Sequence, residues 1–410
     1  MILESQQKVS KIIFLICITV SLISFLSLIF PAFLIEFSIS NSILDESNRT
    51  VNVYELGIWT LPIIFGNIIF FGLFTMHKLK KLPKILNKII YKISLFDISK
   101  KTCVIVILVL FSIYFIFSID EFQREEFEFG DYVGVVKDAK EWEFKGNSII
   151  SPEIRYLFLH ISIELFDNIR ILPFIASISL LLITFFLTLE LTKKRIAGVI
   201  SFAILLQSNL FLMFDTTSSY ENFWTAFYFL SLYLIFKKPV GSHIAFILGM
   251  LTKPLVLTLL PINLFAIFTS ELKKSRKIIL WVTYSIIILV VLIAFFTNNI
   301  THVTFGESEV GFNFNKLISS MNEFGNSLRF DGLILILFIP TIIILFTKKG
   351  NISKSINLIF LGIVFSILSQ PLMFSMIEMT LQPYRFIPVI VFCAISVGMI
   401  FSNSKTLDQK

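Results

Sequence analysis

The stretch TCVIVILVLFSIYFIFSI, residues 102–119, constrains the fold more than any other. It is eighteen residues without a charge, long enough as a helix to cross most of the roughly 30 Å of hydrocarbon in a bilayer. Similar runs recur along the chain. In hydrocarbon every backbone polar group has to be satisfied internally, so such runs become helices. A β-barrel would instead show alternating strands. The composition agrees: 56% of residues are hydrophobic, 15% are charged and the mean hydropathy is +0.85. The expected fold is all-α, a polytopic transmembrane bundle of about 10–12 membrane helices. Spans are expected near 12–35, 57–76, 102–119, 171–191, 196–214, 223–236, 278–297, 332–347, 356–376 and 386–402. The run starting at Ile12 is too long for a signal-peptide core and reads as a retained span.

The net charge of +7 follows from topology rather than from nucleic-acid binding. Lys and Arg crowd into alternate loops: HKLKKLPKILNKIIYKISLFDISKK (77–101), TKKR (192–195), KKP (237–239), ELKKSRK (271–277) and KKGNISK (348–354). By the positive-inside rule these are cytoplasmic, as are both termini, and the plasma membrane is the expected location. The basic, apolar-interleaved 77–101 loop is expected to lie on anionic lipid. The segment 240–270 starts and ends at basic clusters, so it must enter and return. It is too short for two ordinary spans and reads as a hairpin of short helices, with Lys253 of LTKP near its apex. A lysine at that depth faces protein, water or ligand, or else snorkels to the interface.

The acids collect in the intervening outer loops. SIDEFQREEFEF leaves the membrane with Asp120, Glu121, Glu125, Glu126 and Glu128; if helical, it aligns Glu121, Glu125 and Glu128 on one face. DYVGVVKDAKEW reads as an amphipathic helix lying on the membrane, with Tyr132, Val135, Val136, Ala139 and Trp142 as its apolar stripe. Asp131 stands at its wet–dry border, as a helix cap or a reactive carboxylate. EIRYLFLHISIELF, carrying Arg155 and His160, reads as a second interfacial or re-entrant helix; His160 is more simply a packed histidine. DTTSSYEN (215–222) is a short outer turn holding Asp215, Tyr220 and Glu221. Residues 298–331 read as a second outer loop, and QPYRFIP places Tyr384 and Arg385 at the outer edge of the last span. Sequons occur at Asn48, Asn299 and Asn351, the last expected to face the cytoplasm. The cysteines Cys17, Cys103 and Cys393 lie in spans and form no metal or disulfide pattern, and the four histidines are scattered. No metal site is expected; a divalent ion on Glu125/Glu126 or Glu141/Glu143 is the weaker alternative.

In this order — a span leading outward, DYVGVVKDA, SPEIRYLFLHISIELFDNIRILP, a span pair around DTTSSYENF, GMLTKPLVLTLLP and QPYRFIP — the chain resembles the GT-C superfamily of integral-membrane glycosyltransferases. The branch it is most similar to holds the protein O-mannosyltransferases and lipid A aminoarabinose transferases. The resemblance covers roughly residues 100–400 and rests on short motifs whose order carries the weight. It implies a catalytic module over 102–402, preceded by two additional spans and a basic loop (1–101) and followed by a tail (403–410). It also implies a polyprenyl-phosphate-sugar donor and a lipid, glycan or protein acceptor, with no cofactor required. Asp131 takes the family's acidic position, followed by Tyr132 and Ala139; LFDNIRILP stands where a Phe-Gly-like turn and a following Arg usually stand. The family's Asp-Glu dipeptide, however, is matched at Asp120 and Glu121, which leaves the catalytic base open between the two sites. Lys253 matches a lysine associated with the lipid phosphate, Arg385 a C-terminal Arg-aromatic position, and Glu221 an acidic position before a span. Arg155 is a further phosphate candidate, and Asp215, Tyr220, Glu221 and Tyr384 are candidates for the donor or acceptor pocket. A lipid-linked polysaccharide polymerase or ligase, a transporter or flippase, and a non-catalytic scaffold are the competing readings.

Overall fold

The computed structural model describes residues 2–31, 55–127, 132–142, 153–218, 221–296, 312–348, 352–376 and 382–402 of the 410-residue chain. Among them the secondary structure is entirely helical. The α-helices are α1 (Ile2–Ile29), α2 (Thr60–Lys78), α3 (Lys84–Leu95), α4 (Lys100–Ser118), α5 (Val135–Lys140), α6 (Glu153–Phe166), α7 (Ile171–Thr192), α8 (Arg195–Leu206) and α9 (Asn209–Phe214). They continue with α10 (Glu221–Lys237), α11 (Pro239–Thr252), α12 (Leu260–Thr269), α13 (Lys274–Phe296), α14 (Phe314–Ser327), α15 (Gly332–Thr347), α16 (Ile352–Met376) and α17 (Ile387–Ile400). Tight 3₁₀ turns occupy Ile119–Gln123, Pro254–Leu259 and Pro383–Phe386.

Six stretches of described helix are long and apolar enough to cross a membrane, or seven if the bent pair α14–α15 is one span. The protein is a multi-pass helical membrane protein. Burial sorts its helices. Every residue of α17 from Ile387 to Met399 is buried, as expected for a helix that is apolar all round. It is the central strut, packed by α7, α8, α15 and α16. In contrast, α2 and α4 bury little and present wide apolar faces, such as Ile64, Phe65, Ile68 and Ile69 on α2, which only hydrocarbon solvates well. Close helix approach relies on small residues: a Cβ on Gly398 would sit 2.1 Å from the Ser201 hydroxyl, and one on Gly325 would sit 1.8 Å from the Ser24 carbonyl oxygen.

The 239–269 segment is a hairpin of short helices, and its break has a local cause. Pro254 supplies no N–H and forces the residue before it out of the helical region. Lys253 is accordingly extended, with φ −154° and ψ 118°. Polar side chains clamp the hairpin to its neighbours: Asn263 Nδ2 donates to Ser231 Oγ at 2.8 Å and to the Tyr284 hydroxyl at 3.0 Å, and Ser242 Oγ donates to the Ser231 carbonyl at 2.9 Å.

Four local expectations are corrected. The acidic exit is a single 3₁₀ turn that becomes extended at Arg124, so Glu121 and Glu125 share no helical face; Glu128 lies outside the described residues. The stripe Tyr132, Val135 and Ala139 is buried within the protein, with Val135 and Ala139 packed on Leu159, Ala176 and Phe223 instead of resting on lipid. The expected span 196–214 is broken at Gln207–Ser208 into α8 and α9, whose start is capped by Ser208 and by the Asp331 carboxylate. Within the expected 298–331 loop, α14 forms and packs on α1 and α16.

Candidate functional site

The turn Asp215–Ser218, between α9 and α10, is buried throughout and gathers the loop that follows α4. Thr216 Oγ1 donates to Glu121 Oε2 at 2.8 Å. The Ser218 backbone N–H and hydroxyl donate to Glu126 Oε2 at 3.1 and 2.9 Å. Arg170, at the start of α7, pairs with Glu126 at 2.7 Å; its other nitrogens donate to the Glu125 carbonyl at 2.8 Å and the Thr216 hydroxyl at 3.3 Å. Both charges of this pair are buried and multiply hydrogen-bonded, the condition under which a buried ion pair is tolerated. A guanidinium on Glu126 also makes a poor neighbour for a cation on Glu125/Glu126. Among the described residues no three His, Cys, Asp or Glu side chains converge as metal ligands.

Thr217 extends the network. Its hydroxyl donates to the Phe214 carbonyl at 3.0 Å, which leaves it as acceptor for the Tyr132 hydroxyl at 3.1 Å. The Tyr132 ring packs edge-on against Tyr384 with centroids 5.5 Å apart, and Phe214 packs on Tyr384 at 5.2 Å. On the same 3₁₀ turn as Tyr384, Arg385 is buried as well. Lys253 Nζ lies 5.8 Å from the Tyr384 ring centroid and forms an ion pair with Glu221, the first residue of α10. Glu221 is 0% exposed and Lys253 7%. The second carboxylate oxygen of Glu221 accepts from the indole N–H of Trp224, and the helix N-terminus adds a favourable dipole.

Asp215 differs from these paired groups. Its carboxylate is buried facing Tyr114 and Glu121, with no well-formed hydrogen bond to either oxygen. Burial pushes this carboxyl well above the usual range; Tyr114 pulls it down and the Glu121 charge pushes it further up.

The structure therefore joins Glu121, Asp215, Glu221, Lys253 and Tyr384, with Arg385 adjoining, around one buried network. Asp120 is exposed on the 3₁₀ turn after α4. Arg155 belongs to another cluster: it donates to the Tyr156 hydroxyl at 2.8 Å, which donates to Asp138 at 3.3 Å. His160 Nδ1 donates a hydrogen bond to the Ala139 carbonyl oxygen at 3.0 Å, which ties α6 to α5. Asp131, Tyr220 and Glu143 lie outside the described residues. Sequence reading missed Glu126 and Arg170 as a pair; the available signal was an arginine at the very edge of an apolar run. The chain matches no protein-family model, no curated protein and no solved structure.

Proposed function

We propose that this protein is a membrane glycosyltransferase that moves a sugar from a polyprenyl-phosphate donor to an acceptor hydroxyl at the extracytoplasmic face of the plasma membrane. The observation that carries the reading is Lys253, a lysine buried at a helix break. It is held beside Tyr384, whose ring packs on Tyr132, the residue directly after Asp131. In this reading the Lys253 ammonium and the Arg385 guanidinium bind the donor phosphate and stabilise the negative charge that grows on it. Asp131 takes the acceptor proton, with Asp120 and Glu121 as the alternative carboxylates. The acceptor oxygen bonds to the anomeric carbon as the bond from that carbon to the phosphate oxygen breaks. The electron pair leaves with the phosphate, and the anomeric configuration inverts. No cofactor is required for this step.

A transporter reading draws on the same short, broken helices around a buried charge. Glycoside formation, against movement of an intact solute across sealed vesicles, separates the two, and donor binding tests the place of the phosphate. With a short-chain prenyl-phosphate sugar, Lys253→Ala should weaken affinity by about tenfold or more, the value of a charge-assisted hydrogen bond. Unchanged affinity in a folded variant would place the phosphate elsewhere.

A further inference from the structure

Lys253 does not wait for a ligand as a bare cation; its ammonium already holds the carboxylate of Glu221. A donor phosphate arriving there meets an occupied site. Two anions on one buried ammonium repel each other strongly where the dielectric is low. Glu221, however, keeps two supports that do not involve Lys253: the Trp224 indole N–H on its second oxygen, and the favourable helix dipole at the start of α10, where it is the first residue. Its backbone carbonyl is fixed separately, accepting from Thr225 Oγ1 at 2.6 Å. Lys253 is the more adjustable partner. It sits on extended backbone between two helices, and its long side chain lies beside the Tyr384 ring, with Arg385 next in sequence.

We infer that Glu221 is a displaceable counter-ion: it holds Lys253 and yields it to a phosphodiester anion, falling back on Trp224 and the helix terminus. This rests on the donor-phosphate reading above and adds a role for Glu221, which is to set donor affinity and to reject ligands without an anion. A neutral prenyl alcohol cannot take Lys253 from a carboxylate. A phosphodiester can, at the cost of breaking the resident pair. Glu221 is thus a positioning residue acting through Lys253, and Trp224 is its built-in reporter.

The test uses full-length protein in detergent, titrated with farnesyl methyl phosphate, a phosphodiester that remains a monoanion across neutral pH, and with farnesol as the neutral control. Calorimetry reads affinity and tryptophan emission reads the indole; Trp224→Phe assigns its share of the signal against Trp59, Trp142 and Trp281. The phosphodiester should bind and shift the Trp224 emission. Glu221→Gln should bind it about tenfold more tightly, because the site no longer has to be vacated first. If Glu221→Gln does not fold, the emission shift in the unaltered protein still decides the matter. Binding that depends on Lys253 but leaves Trp224 emission unchanged, with no tightening in Glu221→Gln, overturns the exchange and leaves the donor reading standing. If the phosphodiester binds no better than farnesol, the donor reading falls and the exchange falls with it.

Discussion

At the scale of single residues, the end of the bundle around the α9–α10 turn buries charges in two ways. Glu126–Arg170 and Glu221–Lys253 are buried as pairs. Asp215 is buried without an opposite charge on its carboxylate, and desolvation raises it. Folded Asp215 therefore keeps its proton to a higher pH than the same residue in the unfolded chain. Between the ordinary carboxylate value and that raised value the folded state binds the extra proton, so stability falls as pH rises through this window and levels off above it. Asp215→Asn has no proton to lose there. Its melting temperature relative to the unaltered protein should climb as pH rises through the window, and a difference that stays flat with pH would refute the desolvation of Asp215. Such pairings are hard to read from sequence. Acids at a membrane exit are a visible pattern, but which of them turns inward depends on the Asp215–Ser218 turn, which lies some ninety residues further along.

At the scale of elements, chain chemistry explains the parts that were legible. Pro254 dictates the break at Lys253, so the hairpin and the lysine at its turn follow from LTKP itself. Other elements were only half visible. The 3.6-residue periodicity identifies an apolar stripe on DYVGVVKDAKEW but cannot say whether lipid or protein covers it; α6, α7 and α10 do. In α14 the stripe runs through Leu317, Ile318, Met321 and Phe324, and it is diluted by Ser320 and Asn322, which are themselves buried as α14 packs on α1 and α16. That packing depends on a missing side chain. Gly325→Ala would drive a methyl group into the Ser24 carbonyl, so α14 must shift away from α1. The expected cost is about 1–3 kcal/mol, typical of an overpacked contact, read as a lowered melting temperature. Gly72→Ala on α2 meets no atom within 4 Å and should leave stability nearly unchanged. Equal effects at the two glycines would contradict this packing.

At the scale of the whole molecule, the all-α, multi-pass architecture was written in hydropathy, because only helices satisfy their own backbone in hydrocarbon. The arrangement of the bundle was not. That α17 would be the buried strut, while α4, also strongly apolar, stays peripheral, depends on packing partners far apart in sequence. This strut is preceded directly by the Pro383–Phe386 turn, so Tyr384 and Arg385 are anchored on the most buried of the candidate spans among the described residues. The described residues just after α4, the α9–α10 turn, the Lys253 break and this turn then meet at one place, which is where the proposed reaction is placed. The most direct test is glycoside formation. Purified protein in sealed vesicles is supplied with prenyl-phosphate donors carrying radiolabelled sugars and with a panel of lipid, glycan and peptide acceptors. Label is expected to be transferred to an acceptor hydroxyl with inverted anomeric configuration, at a rate lowered about 100-fold or more in Asp131→Asn at unchanged donor affinity. Label that crosses the bilayer with its donor bond intact, or a transfer rate untouched by Asp131→Asn, Asp120→Asn and Glu121→Gln alike, would contradict the proposed function.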